Sequence, residues 1–225
     1  MKLEKLDGSK NTLPDAQTVC EIIMRLPPPV HVMGWVMAET GCRLSDLQMM
    51  RVSDFCSGDN ILTICTEQGC NRADISPGLC GALSDYLYQL RERFERHKRG
   101  SFPLGKNKPK RTHMFSDQRL FPAWSMTGYE KSDIDLPFPS GIFAHELLVA
   151  AQAVSYTGLM HSNTLRLYCT SRWIKEGLDV SAIHQRLGHT DVLTTILMVQ
   201  ALRKEGLTYL AATEDVVEMP VANVA

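Results

Sequence analysis

Three cationic or imidazole side chains stand in settings suited to holding an anion. Arg43 lies in Thr40-Gly41-Cys42-Arg43-Leu44-Ser45-Asp46-Leu47. Arg166 closes Asn163-Thr164-Leu165-Arg166, and His189 closes Leu187-Gly188-His189, just before Thr190-Asp191-Val192-Leu193-Thr194-Thr195. A guanidinium is planar, permanently charged and able to grip two oxygens of one phosphate at once. An imidazole adds a hydrogen-bond donor near neutral pH. Together such groups would stabilise charge on a crowded phosphate. Taken alone, Arg43 reads better as a surface arginine following a helix-ending glycine.

The combination is more specific. The first stretch resembles the T-G-x-R-x-S-E-L box of tyrosine site-specific recombinases of the phage-integrase type. Residues 163–195 resemble that family's H-x-L-R box, its G-x-D-hydrophobic connector (Gly177-Leu178-Asp179-Val180) and its L-G-H-(S/T)-x-hydrophobic-x-T-T box, in order and at matching spacing. The resemblance spans about residues 14–202. It implies a recombinase catalytic domain, mainly α with a small antiparallel β-sheet, in which Arg43, Arg166 and His189 bind one DNA phosphate.

The family's chemistry departs at three positions. Its nucleophilic tyrosine falls at Met198, whose thioether cannot form a reversible phosphodiester. The first position of H-x-x-R is Asn163, which hydrogen-bonds but does not shuttle protons near neutral pH. The hairpin lysine falls near Glu67 or Gln68, neither of them cationic. The binding positions are thus kept while the nucleophile and proton movers are lost, which implies a chain that occupies DNA without cutting it and partners or regulates an active recombinase. Two other readings stand beside it. Tyr209, Tyr168 or a tyrosine supplied in trans would restore an active recombinase, or residues 203–225 would make the chain a protein-interaction module. Family members also carry an N-terminal helical DNA clamp, whereas here the helix leading to the first box starts near Val30. Lower, steeply salt-dependent DNA affinity is the expectation.

Charge distribution bears on the same question. The 225 residues carry a net charge of −1, yet residues 91–111 hold nine Lys/Arg against two Asp/Glu in an otherwise acidic chain. Arg91, Arg96, Lys98, Arg99, Lys106, Lys108, Lys110 and Arg111 are candidates for positioning contacts to the DNA backbone, a role that reads no sequence. A solvated helix face with a lysine-rich loop is the plainer reading.

The elements that must position these residues are legible from periodicity and breakers. Helices are expected over 14–26, Val30–Glu39, Ser45–Met50, 77–98, 141–156, Thr164–Glu176, Val180–Leu187 and Val192–Leu202, with Pro27-Pro28-Pro29, Gly41, Gly177 and Gly188 as stops. Asn60–Thr66 alternates as a strand, Glu67–Cys70 turns, and Asn71–Ile75 returns. Residues 99–113 read as a polar loop, 114–122 as a short element packing back, and 123–140 as irregular. A lead-in (1–13), one recombinase-like domain (14–202) and a docking tail (203–225) follow.

No apolar run of membrane-spanning length and no signal-peptide pattern occur, so a cytoplasmic location is the default. The seven cysteines form no framework and suggest reduced thiols; no metal or cofactor site is expected. His184 and His189, five apart, do not suit a shared metal, Trp35 and Trp173 read as core, and His145 and His161 have no assigned role.

Overall fold

The computed structural model describes residues 13–98, 114–125 and 135–205. Helix α1 (Ala16–Met24) begins where the Asp15 carboxylate accepts the Thr18 N–H at 2.7 Å, and it buries Val19, Ile22 and Ile23. Helix α2 (Val30–Thr40) is buried on almost every side, which is why it is mostly apolar, with only His31 and Glu39 half-buried. Gly41 adopts φ 63° and returns its N–H to Met37 O, ending α2 just before the arginine-bearing turn. Helix α3 (Leu44–Met49) then starts from Arg43 in extended conformation.

The sheet is antiparallel in the order β1 (Phe55–Cys56), β2 (Ile61–Thr66), β3 (Gly69–Asp74). Leu62 and Ile64 alternate inward on β2. The long helix α4 (Pro77–Lys98) runs away from it, burying Leu79, Leu83, Leu90 and Phe94. Its start is tied to the end of α2. The Glu39 carboxylate accepts from Trp35 Nε1 (2.6 Å), Ser76 Oγ (2.6 Å) and Ser76 N (2.9 Å). A carboxylate there also complements the positive end of α4.

Residues 114–122 pack back as expected. Leu120 N donates to Met50 O, Val52 N donates to Gln118 O, and Leu120 and Phe121 are fully buried. Helix α5 (Ser140–Ala153) covers one side of the core through Phe143, Leu147, Ala150 and Ala151. Helices α6 (Ser162–Lys175), α7 (Val180–Leu187) and α8 (Val192–Glu205) close the domain, with α6 against α2. The main core is lined by α1 to α5 and the sheet; a second cluster (Cys169, Trp173, Ile183, Leu187, Val199) holds α6, α7 and α8 together. No described helix is long and apolar enough to cross a membrane.

Three features differ from the sequence expectation. Strand β1 went unseen because two residues cannot display alternation. The return strand starts at Gly69 rather than Asn71, since a turn of only Glu67 and Gln68 lets pairing resume at once. That register sets Cys65 opposite Cys70, and the two form a disulfide where reduced thiols were expected. The five other cysteines are free.

Candidate functional site

Arg166 is the hub of the site. It lies on the first turns of α6, is 4% exposed, and donates from Nη1 to Gly41 O at 2.7 Å and from Nη2 to Leu187 O at 2.8 Å. Those carbonyls belong to the turn that presents Arg43 and the turn that presents His189. One guanidinium therefore draws together two segments more than 140 residues apart in the chain. Two of its five N–H donors are engaged in doing so.

Both flanking turns depend on glycine. Gly41 (φ 63°) has Trp173 Cη2 3.1 Å from where a Cβ would sit. Gly188 (φ 58°) would place a Cβ 2.9 Å from Thr66 Oγ1 and Cγ2. The backbone at Gly188 is thus in close contact with the tip of the β2–β3 hairpin. Asn71 Nδ2 donates to Gln185 O at 2.7 Å and holds the hairpin against α7.

Arg43 is half-buried at the start of α3, where its N–H donates to Asp46 Oδ2 at 3.2 Å. Its positive charge reaches both other members. Arg166 is pushed below the ordinary arginine range by burial and then by Arg43, with Cys42, Asp46 and Cys169 opposing. His189 is pushed down to about 4, by burial first and then by Arg166, Arg43 and His184. Near pH 7 it is therefore a neutral imidazole that carries one N–H. The three residues taken from the sequence share one electrostatic neighbourhood, and like charges are held close there in a poorly hydrated place.

Thr195 completes the arrangement. Its hydroxyl is fully buried on α8 and lies 2.8 Å from His189 Nδ1 and 3.0 Å from His184 Nδ1. His184 on α7 and His189 after it thus meet at a shared hydroxyl. The sequence showed Thr195 only as a motif letter and offered no role for His184. The useful signal was the spacing of α7, turn and α8, which folds the two helices into a corner around one side chain.

The other candidates are placed as follows. Asn163 is exposed on the first turn of α6. His161 caps that helix, its Nδ1 accepting the Thr164 N–H at 3.2 Å. Met198 is half-buried and packs against the cluster containing Trp173, Ile183 and Leu187. Glu67 and Gln68 form the exposed hairpin turn. Tyr168 stands about 200° around the helix from Arg166. It packs on the main core, and its phenol is pushed up by burial first, with Arg172 opposing and Cys169, Cys20 and Asp15 adding to the rise. That is the α1 side, away from Arg43 and His189. Arg91 is exposed on α4, with its guanidinium 5.9 Å from the Phe115 ring centroid. Arg96 and Lys98 lie on the last turns of α4. Arg99, Lys106, Lys108, Lys110, Arg111, Tyr209 and all but the first three residues of 203–225 fall outside the described residues. Among the described residues no group of three metal-ligating side chains converges.

Residues 30–204 match the phage integrase family, and the chain belongs to that family. The fold is that of tyrosine-recombinase catalytic domains. It is similar to XerA recombinase, with a TM-score of 0.61 at 16% identity over 92% of this chain and 68% of that one. It is also similar to XerH site-specific recombinase bound to palindromic difH substrate, with a TM-score of 0.60 at 12% identity over 94% of this chain and 57% of that one. The Tn1549 transposon integrase in complex with transposon right end DNA gives 0.57 at 14% identity, over 93% and 69%. The chain thus spans between about half and two thirds of the length of these proteins. No curated protein sequence matches it significantly.

Proposed function

We propose that the chain is a DNA-binding integrase-like protein that grips a backbone phosphate with Arg43, Arg166 and His189 and does not itself cut the strand. Membership of the phage integrase family supports a role in DNA recombination or integration. The structural relatives bound to DNA support duplex DNA as its partner. The observation that carries the reading is that buried Arg166 donates to Gly41 O and Leu187 O and so gathers the turns that bear Arg43 and His189, with the Arg43 charge acting on both Arg166 and His189. Side chains kept together against their own repulsion gain most from an anion placed among them.

Loss of cleavage follows from the chemistry of the replaced positions. Met198 stands where the family's tyrosine would stand, Asn163 where a histidine would, and Glu67 and Gln68 where a lysine would. Residues 14–202 would form the phosphate-binding domain, and 203–225 a segment that docks on another subunit.

The test uses the full chain and a nicked suicide duplex that traps 3′-phosphotyrosyl adducts. Salt-sensitive binding without a covalent adduct is expected. An adduct that disappears in Tyr209→Phe or Tyr168→Phe would overturn the non-cutting part. Binding indifferent to Arg43→Ala would overturn the phosphate grip.

A further inference from the structure

We infer that His184 is a positioning residue that acts through the Thr195 hydroxyl to fix which nitrogen of His189 carries its proton. The inference rests on the phosphate-binding reading for its purpose, though not for its geometry.

A threonine hydroxyl has one hydrogen to donate. Here it faces two ring nitrogens, His184 Nδ1 at 3.0 Å and His189 Nδ1 at 2.8 Å. At most one of them can accept that hydrogen, so the other must donate to the oxygen. If His189 Nδ1 donated to Thr195, the Nε2 of a neutral His189 would be a bare lone pair, which repels a phosphate oxygen. If His184 Nδ1–H donates to Thr195, the hydroxyl is free to donate to His189 Nδ1, and the proton of His189 sits on Nε2. His189 then presents a donor to an anion. Donation runs in one direction, from His184 through Thr195 to His189 and outward, and each bond polarises the next.

The surroundings favour this direction. Thr195 is fully buried and His189 is 7% exposed, so little water competes for these atoms, whereas His184 is half-buried and open to proton exchange. Gly188, in the left-handed region with the hairpin packed against it, holds the two histidines at the spacing that one hydroxyl can bridge.

The test is nitrogen-15 NMR of histidine-labelled full-length protein, with the two signals assigned from His184→Gln and His189→Gln. His189 is expected as the Nε2–H tautomer and His184 as protonated on Nδ1. Thr195→Val, close to isosteric, should leave His189 as a tautomer mixture and weaken duplex DNA binding about tenfold. Thr195→Ser should restore both. His184→Gln, whose amide can still donate, should preserve the tautomer, whereas His184→Leu should lose it. A His189 found as Nδ1–H, or a tautomer unmoved by Thr195→Val and His184→Leu, would overturn the inference. The tautomer is read without DNA, so it decides the inference even for a chain that binds no duplex, which would count against the proposed function alone.

Discussion

Arg166 donates to Gly41 O and Leu187 O from inside the protein, whereas Arg43 stands half-exposed at the start of α3. Removing the first therefore leaves two carbonyls without their donors and opens a hole at the junction of α2, α6 and α7. Hydrogen bonds to a charged donor are worth about 1.5–3 kcal/mol each. Arg166→Ala should cost at least about 3 kcal/mol and lower Tm by about 6–12 °C in a chain of this size. A melting curve that coincides with the native one would show that the bonds to Gly41 and Leu187 do not hold the turns. His189 makes a separate prediction through pH. Its folded-state value is depressed to about 4, while the unfolded chain titrates near the ordinary 6.5. Above pH 6.5 neither state binds the proton and the full stability is present. As pH falls from 6.5 through 4 the unfolded chain takes up a proton that the folded one refuses, and up to about 3 kcal/mol is lost. His31, also lowered by burial, contributes with the same sign. Urea unfolding of His189→Gln should therefore be less acid-sensitive between pH 6.5 and 4, though not insensitive, and an unchanged slope would contradict the burial of His189.

At the scale of elements, the joint between the β2–β3 hairpin and α7 is where a small change would spread furthest. Gly188→Ala asks a side chain to adopt φ 58° and to occupy space 2.9 Å from Thr66. The cost of such strain is about 1–3 kcal/mol. Because threonine is short, the strand must give way, and the Asn71–Gln185 hydrogen bond with it. Hydrogen exchange should accelerate in Ile61–Asp74 while α1 and α5 stay protected; uniform acceleration would mean global destabilisation instead. The elements differ in how far the sequence showed them. Helix α7 was visible between Gly177 and Gly188, because local breakers bound it on both sides. Strand β1 was too short for any pattern. The partners of Arg166 are main-chain carbonyls, which no residue type advertises. The meeting of His184, Thr195 and His189 depends on a corner between helices, so residue spacing along one helix face could not show it.

Across the whole molecule, a chain of net charge −1 carries one concentrated basic segment, residues 91–111. A phosphate-positioning role for that segment makes no distinction among sequences. Changing Lys106, Lys108, Lys110 and Arg111 to alanine should weaken binding equally for unrelated duplexes. It should also reduce the slope of log affinity against log salt by as much as about 3–4. A loss confined to one duplex sequence would assign the segment to base recognition instead.

The phosphate grip itself is tested most directly by duplex affinity measured across a salt series for the native chain and Arg43→Gln. Arg43 is the member of the site that can be neutralised without unmaking the fold, since its contact to Asp46 runs through the main chain. The variant should bind at least about tenfold more weakly, with a salt slope shallower by about one phosphate contact. Two superimposable lines would mean that no phosphate lies between Arg43, Arg166 and His189.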